Sequence, residues 1–325
     1  MLELISTEKL NDDELKIWRV KTDTPTEGAV RFLRFIQGTT GNDNPRNGRR
    51  DLSYWRIYFH DAFAGKNYPE VVDYFYLAEV NGEIAARMWF AYAPASDFGN
   101  FGNILTVPEF RRRGILRRLM PHFLKDFEES PAKCLACATG TPFAARTYMD
   151  YGLKLIYPGT TGAMALVKPE WGSFNELDAR LFADAAPIRF RPGVLGDQFR
   201  IDKFLRYCRA FHEEPPRSQL MDYRCCMQET LNGNGRIAVA ENAAGAPVGF
   251  AWTGFFDGLQ RMAFLLHPGA GDAGAAFLRE FGSGPDKPVF IQEAGDDRSR
   301  LWMQSASAVC RCSLTGGAAV WQFEN

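Results

Sequence analysis

Three consecutive arginines, Arg111–Arg113, run into Gly114 within the stretch LTVPEFRRRGILRRLM at 105–120. An apolar run closes in Val107-Pro108-Glu109, and an apolar, basic segment at helical spacing follows the glycine. That order reads as a strand, a tight turn and a helix start. The first amides of a helix have no partner within it. Together with the helix dipole they form an anion site suited to phosphate. Gly114 lets the backbone come close to the bound group. The plainer reading of the same residues is a basic surface helix after a strand.

The hexapeptide Arg111-Arg112-Arg113-Gly114-Ile115-Leu116, led in by Asn-Ile-Leu-Thr-Val-Pro-Glu-Phe, resembles motif A of the GNAT superfamily of N-acetyltransferases. That motif is written Gln/Arg-x-x-Gly-x-Gly/Ala, so Leu116 departs from it. The resemblance implies a pyrophosphate-binding loop for acetyl-CoA, or another short acyl-CoA, formed by residues 111–116 with Arg117. It implies that Asn103–Val107 lies beside the pantetheine arm. The donor to the oxyanion is then a backbone N–H near Leu105 or Thr106. Family members also carry Asn-x-x-Ala-x-x-Leu/Tyr-Tyr-x-x-x-Gly-Phe. Here Ala144, Tyr148 and Gly152 hold their places, while Thr141 and Leu153 replace the asparagine and phenylalanine. Thr141 and Ala144 thus join the cofactor set, and Tyr148 becomes the acid that protonates the leaving thiolate. A phenol of pKa about 10 suits a thiol of about 8.5. From the residues alone, Tyr148 also reads as a helix-face packing residue, and Tyr151 is a second candidate.

A base is harder to place. The family often has a glutamate near Gly102 or Asn103, and no carboxylate occupies that strand. Asp97, Glu79 and His60 are the substitutes, unless the amine loses its proton to solvent. The resemblance implies an acceptor that is an amine of a small molecule or peptide. Arg46, Arg49 and Arg50 offer charge for an acidic acceptor or simply form a solvated basic loop; Tyr54, Trp55, Tyr58 and Trp89 offer rings for a pocket or for the core. The other function class is a noncatalytic acyl-CoA-binding or regulatory module.

The elements that must position these groups fill a chain of 325 residues, long enough for two domains. Its 46% hydrophobic and 24% charged residues are ordinary globular values. A net charge of −1 provides no global field for nucleic acid or an anionic membrane. No apolar run approaches the roughly 20 residues of a membrane span. The acidic, polar start MLELISTEKLNDDELK does not read as a secretory signal, so a soluble cytoplasmic protein, monomer or homodimer, is expected. The seven cysteines are odd in number and irregularly spaced, and are expected to be buried, reduced thiols. Cys134 and Cys137 sit three apart on a probable-strand pattern, facing opposite sides. No zinc set is present.

Strands are expected at Leu2–Ser6, Tyr74–Val80, Ile84–Tyr92, Gly102–Thr106, Lys133–Ala138, Leu153–Tyr157 and Ala163–Val167. Helices are expected at Leu15–Lys21, Glu27–Ile36, Leu52–Phe63, Arg113–Glu128 and Pro142–Asp150. The pattern then repeats after a linker with a short helix. Strands are expected near Ile188–Arg191, Arg236–Glu241, Val248–Phe256, Arg261–Leu266, Val289–Glu293 and Ala318–Phe323. Pro268 precedes Gly274 by six residues, as Pro108 precedes Gly114, and Thr161-Gly162-Ala163 echoes Thr315-Gly316-Gly317. The expected fold class is α/β with a tandem of GNAT-like domains, each a mostly antiparallel mixed sheet with a splayed central pair. Residues 1–168 form the catalytic domain, 169–186 the linker and 187–325 a degenerate copy. In that copy Asp272 replaces the arginines and Trp302 stands where Tyr148 stands. A rival reading takes Gly269–Gly274 as GxGxxG with Glu293 as the ribose acid, making the second half a nucleotide-binding oxidoreductase module.

Overall fold

The computed structural model describes residues 1–26, 28–40, 49–157, 162–184, 188–208, 222–256, 258–283, 288–292, 297–313 and 318–323. Glu27, Arg46, Thr161, Glu293, Thr315–Gly317 and the side chains of Arg49 and Arg50 lie outside it. The chain forms two compact units, Met1–Gly172 and Ser173–Asn325.

The first unit runs β1 (Leu2–Leu10), β2 (Asp13–Lys21), α1 (Val30–Thr39), α2 (Arg49–Phe63), β3 (Val72–Val80), β4 (Glu83–Ala93), β5 (Phe98–Thr106), α3 (Ile115–Glu129), β6 (Cys134–Ala138), α4 (Pro142–Met149), β7 (Lys154–Leu155) and β8 (Ala163–Val167). The sheet order is β1-β2-β3-β4-β5-β6-β8-β7. Neighbours are antiparallel except β5 and β6, which run parallel.

One expectation fails here: Leu15–Lys21 is not helical but lies in β2. Asn11, at φ +58, turns the chain straight back from β1. Leu15 and Ile17 then point inward two residues apart, the strand period. β3 is buried along its whole length, because helices cover both faces of the sheet. Phe101 of β5 stacks on Phe123 of α3 at 4.4 Å and meets Tyr148 of α4 edge-on at 5.4 Å. On the other face Phe59 of α2 meets Phe75 at 5.3 Å, and Trp55 meets Trp89 at 5.2 Å. Tyr54, Tyr58 and Trp89 are core residues.

The second unit runs α5 (Phe174–Leu181), β9 (Arg189–Pro192), α6 (Asp197–Phe199), α7 (Tyr223–Leu231), β10 (Arg236–Glu241), β11 (Pro247–Phe256), β12 (Leu259–Leu266), α8 (Gly271–Gly282), β13 (Val289–Gln292), α9 (Asp297–Ser305), β14 (Ala308–Ser313) and β15 (Ala319–Phe323). A π turn and a 3-10 turn extend α6 to Tyr207. The sheet order is β14-β15-β13-β12-β11-β10-β9. Read from the other rim, β9 to β15 retrace β2 to β8, and β12 and β13 are again the parallel pair. β14 is a strand the sequence reading leaves unassigned. α5 belongs to this unit: Ser173 and Glu176 form a capping box, and Asn242 Nδ2 donates to Leu181 O at 2.7 Å and Asp184 O at 2.9 Å.

None of the seven cysteines is in a disulfide. Cys134, Cys137, Cys208 and Cys226 are buried as expected. Cys310 and Cys312, on β14, are exposed, and Cys225 is half-buried.

Candidate active site

β5 and β6 pair only from Phe98 to Asn100, against Cys134 to Ala136. Beyond that point no pairing joins them and a wedge opens. On its other edge β5 carries a bulge. Gly102 pairs with Trp89 and Leu105 with Arg87, so Asn103 and Ile104 together oppose Met88. Asn103 takes the left-handed conformation, φ +51. Buried Arg87 clamps it, donating from Nη1 to Asn103 O and Oδ1 and from Nε to Thr39 Oγ1.

Val107 N donates to Ala85 O at 3.0 Å, on the β4 side. Successive residues of a strand alternate their polar edges. Leu105 therefore aims its amide at β4, and Thr106 aims its own into the wedge. Arg111 Nε donates to Thr106 O at 3.0 Å from that side. Of the two donors expected at the thioester, Thr106 is the one that faces the opening.

After a 3-10 turn at Pro108–Phe110, Arg112 at φ +62 and Gly114 at φ +80 curl the chain into α3. Among the described residues, the amides of Arg112, Arg113 and Gly114 donate to nothing. Among the described residues, a Cβ built on Gly114 meets nothing within 4 Å, so on their side the approach to these amides is open. Ile115 is buried in the core and Leu116 packs against it, so the residue that departs from the motif turns inward.

The arginines divide into two sets. Arg113 pairs with Asp13 and lies over the Phe110 ring at 5.6 Å; Arg118 pairs with Glu8 at 2.7 Å. Hydrogen bonding from Arg113 holds the Asp13 carboxyl below its ordinary range. Arg112 and Arg117 are exposed, and among the described residues their side chains have no partner.

Tyr148 is 7% exposed, and among the described residues its hydroxyl makes no hydrogen bond. Burial, with Cys137 nearby, pushes the phenol above its ordinary range. Tyr151 instead donates to Arg117 O at 3.3 Å, which commits it to tying α4 to α3. Thr141 stands exposed at the N-cap position of α4, its side chain making no capping hydrogen bond; Ala144 packs on the core.

None of the substitute bases reaches the wedge. Asp97 pairs with Lys133 at 2.6 Å, at the end where β5 and β6 still meet. Glu79 pairs with Arg31 at 2.6 Å, and exposed His60 contacts Asp61 at 3.2 Å. The sequence reading missed Asp73, a fully buried carboxylate on β3. Tyr58 and Trp89 each donate to its Oδ1 at 2.8 Å, and burial pushes it up to about 6. Its signal was an acid inside the apolar run VDYFYLAEV.

The second unit lacks the cradle. Its 3-10 turn, Pro268–Ala270, passes directly into α8 at Gly271, where the first unit spends four residues on Arg111–Gly114. Gly274, matched to Gly114 by spacing, is inside α8, where a Cβ would sit 2.9 Å from Trp302. Asp272 is exposed at the start of that helix. Before it, His267 stacks on Phe182 at 4.7 Å and accepts from Gly269 N at 3.0 Å. Burial pulls that imidazole down to about 4. The glycines of the GxGxxG follow the antiparallel strands β10, β11 and β12, with no βαβ unit before them among the described residues.

Among the described residues, no cluster fit to hold a metal is present, and no helix is long and apolar enough to cross a membrane. No protein-family model and no curated protein matches the chain. Solved structures similar to it include a GCN5-related N-acetyltransferase from Kribbella flavida, 16% identical, covering 94% of this chain and 70% of that one, with a TM-score of 0.36. Tetrahymena GCN5 is 13% identical over 46% of this chain and 94% of its own, TM-score 0.34. The ribosomal-protein-S18-alanine N-acetyltransferase from Escherichia coli is 17% identical over 46% and 93%, TM-score 0.30.

Proposed function

We propose that this protein is an acyl-CoA-dependent N-acyltransferase whose chemistry lies in the first unit. The observation that carries the reading is the joining of two open features: the free amides of Arg112–Gly114, and the unpaired edge of β5 leading away from them. A diphosphate bound to those amides, with Arg112 and Arg117 beside it, fixes one end of the cofactor. The extended pantetheine arm then takes the place of the missing strand along β5.

In that pose Thr106 N–H donates to the thioester oxygen as it gains charge. The acceptor amine attacks the carbonyl carbon directly, and the C–S bond breaks as the thiolate leaves. Tyr148 gives the thiolate its proton and regains one from solvent. The apolar surroundings that raise the phenol raise a buried thiol too, which keeps the transfer balanced. The amine's proton goes to solvent, since the candidate carboxylates are engaged elsewhere. The acceptor is an amine of a small molecule or peptide. Residues 1–168 carry this activity, and the second unit, which takes in α5 from the expected linker 169–186, is a copy that holds no cofactor.

Calorimetric titration of the full chain with acetyl-CoA tests this, followed by an amine panel with detection of released thiol. One cofactor per chain is expected. No binding, or binding that survives loss of both Arg112 and Arg117 side chains unchanged, overturns the reading.

A further inference from the structure

Arg87 of β4 is 5% exposed, and its guanidinium is held from two sides. Nε donates to Thr39 Oγ1 at 2.9 Å and Nη2 to Thr39 O at 3.3 Å, at the last residue of α1. Nη1 donates to Asn103 O at 2.6 Å and to Asn103 Oδ1 at 2.7 Å, on the extra residue of β5. The last carbonyls of a helix carry partial negative charge, so α1 offsets part of the cost of burying this cation. A guanidinium presents its donors as a rigid planar fork. Anchored on α1, that fork fixes where the Asn103 peptide stands.

The register shows what the extra residue does. Leu105 aims its amide at β4, across from Arg87. Trp89, two residues along β4, faces the same edge and pairs with Gly102, so Gly102 aims there as well. From Gly102 to Leu105 is an odd step. With strict alternation from Gly102, the Thr106 amide would turn to β4 and the Leu105 amide to the wedge. The single extra residue reverses that order. Asn103 occupies the left-handed region at φ +51, which most side chains avoid.

We infer that Arg87 is a positioning residue for acyl transfer: by pinning Asn103 outside the strand's alternation, it turns the Thr106 amide, and not that of Leu105, toward the thioester oxygen. This rests on the acyltransferase reading. Arg87 acts through β5 and not on the cofactor. Without the fork, Asn103 is free to relax toward ordinary strand angles, which rotates the peptide planes that follow it. The amides of Arg112–Gly114 stand past Pro108–Phe110, beyond that disturbance. Loss of Arg87 therefore costs rate and leaves the grip on the diphosphate.

The test uses the full chain and acetyl-CoA carrying a heavy-carbon label at the thioester carbonyl. Isotope-edited infrared spectra should show that carbonyl band at lower frequency when bound than when free. In Arg87→Gln the band should return toward its free position. Turnover should fall about 10²-fold, the usual cost of a misplaced group. The KM for acetyl-CoA and the affinity for CoA should stay within about threefold. Arg87→Lys keeps the charge but not the fork, and should behave like Arg87→Gln. Phe59→Leu loosens the core between α2 and the sheet; it should lower the melting temperature yet leave band and turnover in place. An Arg87→Gln band and rate equal to wild type, or a Phe59→Leu band displaced as far, overturns the inference alone. So does a wild-type band that binding does not move. Absence of CoA binding altogether brings down the transferase reading with it.

Discussion

Arg87 Nη1 donates to both the carbonyl oxygen and Oδ1 of Asn103, at 2.6 and 2.7 Å. One guanidinium thereby holds the extra residue of β5 in a conformation that costs most side chains about 1–2 kcal/mol. Asn103→Ala and Asn103→Gly both remove the side-chain acceptor, but only alanine strains the backbone. In urea unfolding the alanine variant should be the less stable of the two by about 1 kcal/mol. Equal stabilities would mean that the bulge relaxes at little cost.

The two arginine sets should separate in a binding assay. Arg112→Gln or Arg117→Gln should each weaken acetyl-CoA binding about tenfold, the worth of one charge-assisted contact. The loss should shrink as salt rises. Arg113→Gln and Arg118→Gln should leave affinity within about twofold, because those side chains are spent on Asp13 and Glu8. Titration at two ionic strengths reads both effects.

Tyr148→Phe removes a hydroxyl that makes no hydrogen bond among the described residues, so the fold should barely change. Turnover should fall by about 10²–10⁴, the usual worth of a positioned acid. CoA affinity should stay the same. Steady-state rates beside calorimetry check this, and an unaltered rate assigns the proton to another donor or to a noncatalytic binding module.

Asp73 should act oppositely to most carboxylates. Its folded pKa is raised from 3.8 to about 6, so its full contribution to stability is present below pH 3.8. That contribution is lost as pH rises through about 6. The span corresponds to about 3 kcal/mol. Asp73→Asn mimics the protonated acid and keeps an acceptor for Tyr58 and Trp89. The variant should therefore be more stable than wild type at pH 7 and level with it near pH 4. Chemical denaturation at the two values gives the sign.

The turn into α3 was legible because its signals are local: proline, arginines and glycine follow one another in the chain. The wedge was not. It depends on where pairing between Asn100 and Ala136 stops, a matter of tertiary register. The roles of Arg113 and Arg118 were hidden for the same reason, since Asp13 and Glu8 lie 100 and 110 residues away. β2 was misread because LKIWRVK suits either period, and a turn at Asn11 decided it. The repeat was legible in element order but not in spacing, since Gly274 lies inside α8 and packs against Trp302, where Gly114 stands in the turn before α3.

An unpaired strand edge ordinarily invites another chain to add to it and so to aggregate. Here the open edge of β5 lies within the sheet and faces β6, tethered only at its root. If the wedge holds the pantetheine arm as proposed, a visitor must be slender enough to slip between two fixed rails, so the gap sorts by width: one thin polar chain enters and the ribbon that would glue two molecules together does not.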